Sequence, residues 1–413
     1  MRPAVVILAA GKGTRLKSDL PKALHTLCAR PMLGHLIDRA KEIGARRIVV
    51  IAGFKHGEVR KFVGSSAETV LQKRQLGSGH AVRQAERALK GHTGPTVVLY
   101  CDTPLLSVRT LKALLQKFGS KKADGALLSV ELDKPFGYGR ILRKKGGTVS
   151  GIIEEKEATD AQRRLREVNV GAYIFRTKKL FSALQSVPLS PVKGEYYLTD
   201  AVGILAREGR FEALKVSDPD ECLGVNTRLE LADLEARMQN KIIERLIESG
   251  VKIRDPRTTV IDAGVSIGEG TVILPNTVIE EGTRIGKRCV IGPFARLRGR
   301  SVIKDGAVIG NFVEIVRSTV GEGSQVKHLS YLGDATVGKR VNIGAGSITA
   351  NFDGKKKHAT VIKDGAQIGS GTVLVAPVTI GRGAKTGAGA VVTKGKNIPD
   401  RAVFVGVPAR NIK

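Results

Sequence analysis

Residues 261–285 read IDAGVSIGEGTVILPNTVIEEGTRI, and an aliphatic residue returns at every sixth place: Ile261, Ile267, Ile273, Ile279 and Ile285. The period runs on through Ile291, Leu297, Ile303, Ile309 and Ile315. It then slips by one residue, resumes at Val320, Val326 and Leu332, and returns at Ile362, Ile368, Leu374 and Ile380. A helix of 3.6 residues per turn cannot bury every sixth side chain. A triangular coil of parallel strands can: each hexad gives one short strand and one corner, with the aliphatic residue inside and Gly or small residues at the turn. Such coils bury their inner faces only against their neighbours, so the stack behaves as one unit. The pattern predicts a parallel β-helix over 251–413. One polar segment, TANFDGKKKHAT (349–360), breaks it and is expected to project as a loop, where function in a solenoid tends to sit.

Upstream, TRLELADLEARMQNKIIERLIES (227–249) carries helix formers throughout and stops at Gly250, which predicts a connecting helix over 227–250. Residues 1–226 alternate apolar strand-like runs (4–9, 47–52, 96–100, 126–130, 171–175) with helical patterns (31–43, 78–90, 107–118), the signature of a mostly parallel sheet covered on both faces. A length of 413 residues fits two or three domains. No apolar run approaches a membrane span, so no membrane insertion is expected, and the run Ala4–Ala10 is a poor leader. Four scattered cysteines lack metal or disulfide spacing, which suggests a reducing cytoplasm. The net charge of +29 is spread along the chain, and with 4% aromatics and no Trp it reads as solvated surface; no nucleic-acid partner is expected.

The N-terminal strand runs into LAAGKGTR (8–15), followed by Pro21 and Lys22. A Gly-rich turn lets backbone N–H groups approach a phosphate closely, and Arg15 and Lys22 add full charges. VVLYCDTPLL (97–106) is a second buried strand ending at Asp102, and GVN (224–226) ends at Asn226. A carboxylate and an amide oxygen suit Mg²⁺ shared with substrate phosphates. Each has a plainer reading: Asp102 as a helix cap, Asn226 as the start of the connecting helix. Gln72, in LQKRQLGSGHA (71–81), offers an amide edge for hydrogen bonding.

LAAGKGTR with LPKALH resembles the signature of sugar-nucleotide pyrophosphorylases. Together with LQKRQLGSGHA, GYGRI (137–141), GIIEEKEAT (151–159), EVNVG (167–171), GEYYLTD (194–200) and GVNTRLEL (224–231), it resembles the bifunctional branch that acetylates glucosamine-1-phosphate and then uridylylates the product. GPFARLRG (292–299), GNFVEI (310–315), HLSYLGDA (328–335), NIGAGSITANFDG (342–354) and IGSGTVLVAPV (368–378) resemble its acetyltransferase half. The resemblance implies an α/β chain: a Rossmann-like nucleotidyltransferase domain with a mostly parallel mixed sheet (1–226), the connecting α-helix, and a left-handed parallel β-helix of hexapeptide repeats (251–413). It implies UTP, N-acetylglucosamine-1-phosphate, glucosamine-1-phosphate and acetyl-CoA as substrates, Mg²⁺ as cofactor and a homotrimer.

By the same resemblance, Leu8, Ala9, Ala10, Tyr100 and Asp102 bind the nucleotide, Gly11, Gly13, Arg15 and Lys22 hold its phosphates, and Arg15 and Lys22 are catalytic in offsetting the developing charge. Gln72, Gly77 and Ser78 recognise uracil, and Asp102 and Asn226 hold Mg²⁺. Gly139, Glu154 and Asn169, with Asn226, hold the sugar. His328 is the general base of acetyl transfer, a task that an imidazole suits near neutral pH. Arg298, Tyr331 and Asn342 bind the sugar phosphate, and Ala345, Asn351, Phe352, Ser370 and Ala388 line the acetyl-CoA site. Four positions depart from the family pattern: Cys101 for a glycine, Val170 for a threonine, Val316 (beside Arg317) for a substrate-binding lysine, and Gly406 for an arginine that helps hold CoA. The alternatives are a monofunctional sugar-1-phosphate nucleotidylyltransferase whose solenoid only trimerises or regulates, and a scaffold with a degenerate catalytic domain.

Overall fold

The computed structural model describes residues 2–412. These fall into two compact units, and the division comes after Glu235, inside the helix Arg228–Glu248.

The first unit is built on a sheet with the strand order Phe211–Lys215, Gly125–Glu131, Glu167–Arg176, Pro95–Tyr100, Ala4–Ala9, Arg47–Ala52, Glu68–Leu71. Neighbours are parallel except Glu167–Arg176, which runs antiparallel to both of its own. Ala4–Ala9 is buried throughout, and its side chains alternate between two apolar layers: Val5, Ile7 and Ala9 with Leu33, Leu36 and Leu111 on one face, Ala4, Val6 and Leu8 with Val82, Leu180 and Leu198 on the other. The five strands expected from sequence form within a few residues of their predicted ends. Helices form at Met32–Glu42 and Val108–Ser120, but the pattern over 78–90 is α-helical only across Ser78–Arg83. The edge strands Glu68–Leu71 and Phe211–Lys215 carry too little apolar run to read from sequence.

The order of strands fixes where a ligand can sit. The carboxyl ends of Ala4–Ala9, Arg47–Ala52, Glu68–Leu71 and Pro95–Tyr100 lie along one edge, and the connections diverge there, which opens a crevice.

The second unit is three sheets of two- to four-residue strands, parallel except for the last pair, Val403–Val405 with Arg410–Asn411. Register steps by eighteen residues: Ile273, Ile291 and Ile309 stack in one sheet, Ile261, Ile279, Leu297 and Ile315 in the next, Ile267, Ile285 and Ile303 in the third. The hexad residues are buried, as a β-helix requires, and the architecture is consistent with the expected left-handed form. The slip in the repeat is a shortened corner. Arg298 pairs with Val316, eighteen residues on, whereas Val302 pairs with Thr319, seventeen on. A second inner position carries small hydroxyl residues, among them Thr271, Thr277, Ser301, Ser318 and Ser324, all nearly fully buried. Their hydroxyls tie one coil to the next: Ser324 Oγ donates to the Gly338 carbonyl (2.7 Å) and accepts from the Val341 N–H (2.9 Å). The 349–360 interruption is a braced hairpin. Asp353 accepts from the N–H groups of Lys355 and Lys356 and pairs with the His358 ring (2.6 Å). No helix among the described residues is long and apolar enough to cross a membrane.

Ser324→Ala leaves a buried N–H and a buried carbonyl without partners. The expected cost is about 1–3 kcal/mol, read as a fall in the urea midpoint at unchanged m-value. An unchanged midpoint would remove the hydroxyl ties from the account.

Candidate functional site

In the first unit, the crevice gathers Lys22, Asp102 and Asn226. Lys22 Nζ donates to Asp102 Oδ2 (2.6 Å) and to Asn226 Oδ1 (3.1 Å), with the lysine side chain only 12% exposed. Local structure frees both oxygens for this. The helix Val108–Ser120 is capped by Ser107, so Asp102 is no cap. The connecting helix is opened by a reciprocal box in which the Glu230 N–H donates to Thr227 Oγ1 (3.2 Å) and the Thr227 N–H to Glu230 Oε2 (2.9 Å). Glu230 also takes the Asn226 backbone N–H (2.6 Å), so Asn226 is held in place while its side chain stays free. Val225 N–H bonds to the Asp102 carbonyl (3.0 Å), which joins the two segments directly.

The Gly-rich turn lies against the same lysine. Gly13 has φ +69°, and a Cβ there would meet Lys22 Cβ at 2.9 Å, so only glycine lets the lysine pass so close. Arg15 is exposed and makes no hydrogen bond or ion pair with any described residue. Gln75 Nε2 donates to the Ala10 carbonyl (2.8 Å), which ties this turn to the loop bearing Gln72. Gln72 is 3% exposed; its amide donates to the Gly77 carbonyl (3.2 Å) and faces His80 Nδ1 (3.0 Å). Gly77, at φ +94°, packs against the Tyr196 carbonyl, where a Cβ would sit at 2.6 Å. Ser78 Oγ accepts from the Leu198 N–H (3.0 Å).

Gly139, Glu154 and Asn169 come together around the far side of the crevice. Asn169 N–H donates to the Gly139 carbonyl (2.9 Å), and a Cβ on Gly139 would lie 3.7 Å from Glu154 Oε1. Glu154 accepts from Thr199 Oγ1 (2.9 Å); burial nonetheless raises its carboxyl above the ordinary range, against the Thr199 bond and Lys193. It borders an open cleft of about 760 Å³ with Lys134, Arg140, Lys156 and Lys193 on its walls. Burial likewise holds the Tyr100 phenol well above its usual range, so it stays a neutral donor and acceptor. Val170 and Cys101 both face the apolar layer, 5% and 6% exposed, and burial pushes the Cys101 thiol up to about 12.

In the second unit, register brings one residue per coil to a single corner: Asn311, His328, Ala345, Ser370, Ala388 and Gly406. His328 is exposed, and its Nδ1 lies 2.8 Å from Asn311 Oδ1. An amide oxygen only accepts, so Nδ1 carries the proton and Nε2 keeps its lone pair outward, the form a base needs. Sequence reading missed Asn311, yet it sits in the GNFVEI motif seventeen residues before His328, one coil below. The small residues at 345, 370 and 388 leave the corner open beyond the imidazole. Arg298 and Tyr331 share the adjacent sheet; Asn342 lies on the preceding one, paired with Gln325. Arg298 Nη1 is bonded to Glu314 Oε1 (2.9 Å). The Tyr331 hydroxyl and Asn351 Nδ2 meet over Gly333, where a Cβ would be 2.6 Å from each. Phe352 is exposed, whereas Asn351 is buried against Asp334. Val316 is 3% exposed, and Arg317 forks onto Asp334 (2.7 and 2.8 Å).

Comparison with known proteins fits this division. Residues 5–184 match the MobA-like NTP transferase domain, and 264–299, 282–317 and 359–394 match the bacterial transferase hexapeptide repeat. The chain is similar to the "Bifunctional protein GlmU" of Geobacillus thermodenitrificans, 42% identical over 97% of this chain and 94% of that one. The protein of that name from Exiguobacterium sp. is 40% identical over 98% and 97%. That from Pelotomaculum thermopropionicum is 44% identical over 91% and 90%.

All four cysteines are buried, and burial pushes Cys222, like Cys101, up to about 12. The folded protein is expected to titrate no thiol with DTNB at pH 8, and all four in denaturant. Rapid labelling of Cys101 in the folded state would contradict its placement in the apolar layer.

Proposed function

The chain belongs to the GlmU family of bifunctional enzymes of UDP-N-acetylglucosamine synthesis, and from that premise we propose which residues carry each half-reaction. The proposed boundaries are 1–226 for nucleotidyl transfer, 227–250 for the connecting helix and 251–413 for acetyl transfer. The observation that carries the first assignment is the Lys22 ammonium set between Asp102 and Asn226 at 2.6 and 3.1 Å. Two hard oxygens that already hold one cation fit Mg²⁺, which takes few protein ligands and leaves the rest to water and phosphates.

Asp102 and Asn226 would hold the ion, whose charge would offset that of the triphosphate and of the departing pyrophosphate. The protein's own part is positioning. The Gly11–Gly13 turn presents backbone N–H groups to the phosphates, and Arg15, unpaired among the described residues, closes on them. The Lys22 ammonium, beside the Gly13 turn, supplies charge to the α-phosphate as the sugar phosphate oxygen attacks it and pyrophosphate leaves. Gln72, Gly77 and Ser78 hold the uracil of UTP; Gly139, Glu154 and Asn169 hold the N-acetylglucosamine moiety.

For acetyl transfer, His328 takes a proton at Nε2 from the glucosamine amine as that amine attacks the thioester of acetyl-CoA, and the Asn311 amide fixes the ring for it. Arg298 and Tyr331 sit beside it for the sugar phosphate, with Asn342 on the neighbouring face. Ala345, Ser370, Ala388, Asn351 and Phe352 line the path of CoA. A homotrimer in the cytoplasm is the proposed setting. An exposed apolar ladder, Phe294 stacked on Phe312 (5.1 Å between rings) with Leu329 above, supports self-association through this face.

Asp102→Ala is expected to abolish Mg²⁺-dependent pyrophosphate release and to spare acetyl transfer. His328→Ala should do the reverse, lowering CoA release by about 10²–10⁴. Parallel assays of both activities check this, and a joint loss from either change in a folded protein would overturn the two-site assignment. Absence of CoA release from the wild-type protein with glucosamine-1-phosphate would favour the monofunctional reading.

A further inference from the structure

The Gln72 amide is oriented by its neighbours. Gln72 follows directly on the strand Glu68–Leu71, at the crevice edge, and is 3% exposed. The atom facing the Gly77 carbonyl at 3.2 Å must be the NH₂ group, because a carbonyl oxygen can only accept. The same nitrogen lies 3.0 Å from His80 Nδ1, so its second hydrogen points at the ring and Nδ1 is the acceptor. The ring is therefore neutral, with its proton on Nε2. Burial lowers the His80 pKa, and Arg83 and Arg74 lower it further. Gln84 Nε2, 3.3 Å from His80 Nε2, is then donor against donor and makes no bond there; it donates instead to the His80 carbonyl (3.1 Å). Both hydrogens of the Gln72 NH₂ are thus taken, and no described residue donates to Oε1.

We propose that His80 is a positioning residue for the nucleobase: by accepting the second amide hydrogen of Gln72, it turns Oε1 toward the base, so that the site takes a uracil-type ring and rejects cytosine. Uracil offers an N–H at position 3, where cytosine offers a lone pair. An oxygen facing that position makes a hydrogen bond with the first and a repulsion with the second. Turning the amide over would set its oxygen against both the Gly77 carbonyl and Nδ1, so loss of the Nδ1 acceptor removes one of the two contacts that hold the orientation. The inference rests on the reading of Gln72 as a base contact.

The experiment measures kcat/KM for UTP and CTP in pyrophosphate release by the full chain and its His80→Leu, His80→Asn and Gln72→Ala variants. His80→Leu is expected to lower the UTP-over-CTP ratio about tenfold, the worth of one hydrogen bond, mainly through KM. His80→Asn, whose amide oxygen can accept in place of Nδ1, should recover most of the ratio. An unchanged ratio in His80→Leu, or an equal loss on both nucleotides, while Gln72→Ala abolishes discrimination, would overturn the role of His80 and leave the base contact standing. Unchanged discrimination in Gln72→Ala would instead overturn the base contact itself, and the inference with it.

Discussion

Parallel pairing in register is the constraint from which both sites follow. A parallel ladder keeps equivalent positions of successive strands side by side, and it sends every chain crossing back to the same edge. In the first unit this gathers the carboxyl ends of four strands, so the Gly-rich turn, Gln72 and Asp102 emerge together although they lie far apart in sequence. In the second unit the same rule acts at a step of seventeen or eighteen residues and lines up Asn311, His328, Ala345, Ser370, Ala388 and Gly406 on one corner. The insertion at 349–360 lengthens one coil without disturbing that register, since Ile343 still pairs with Ile368.

The parts of the fold legible in the sequence are those with a period. The hexads named the inner face residue by residue, because a buried aliphatic stack tolerates few alternatives. The strand–helix alternation named the sheet. Edges were not legible: Glu68–Leu71 is only partly buried, so its sequence carries no alternation strong enough to read. At the site, residue types were legible and partnerships were not. Asp102 and Asn226 stood out as oxygen donors, but the lysine between them joins positions 80 and 204 residues apart, which no local pattern reports. Whether Asn226 capped the helix turned on one hydroxyl, and Thr227 supplies it.

Two of the family departures have a shared setting. Cys101 directly follows the strand Pro95–Tyr100 and Val170 lies on its neighbour Glu167–Arg176, just beyond the point where Ala172 pairs with Leu99. Gly171, between Val170 and Ala172, stands at φ +82° with its Cβ position 3.1 Å from the Tyr100 ring. Both departing side chains enter the same apolar layer, under the segment that delivers Asp102. Neither residue adds a polar group to the crevice.

The departures that the resemblance implies on the solenoid differ in kind, because they place uncharged residues, Val316 and Gly406, where it implies cations. Position 316 holds a buried valine, and the nearest cation along the chain, Arg317, lies at a corner with φ +48°. Its guanidinium forks onto Asp334, whose other contact is the Asn351 amide, and these bonds hold the Asp334 carboxyl below its ordinary range. A phosphate drawing Arg317 away would leave Asp334 with the amide alone, so the arginine cannot stand in for a lysine at 316 without also loosening Asn351. Arg298, the residue proposed to take the sugar phosphate, is itself shared with Glu280 and Glu314. On the proposed assignment of Arg298 to the sugar phosphate, these carboxylates must yield the guanidinium as the phosphate binds.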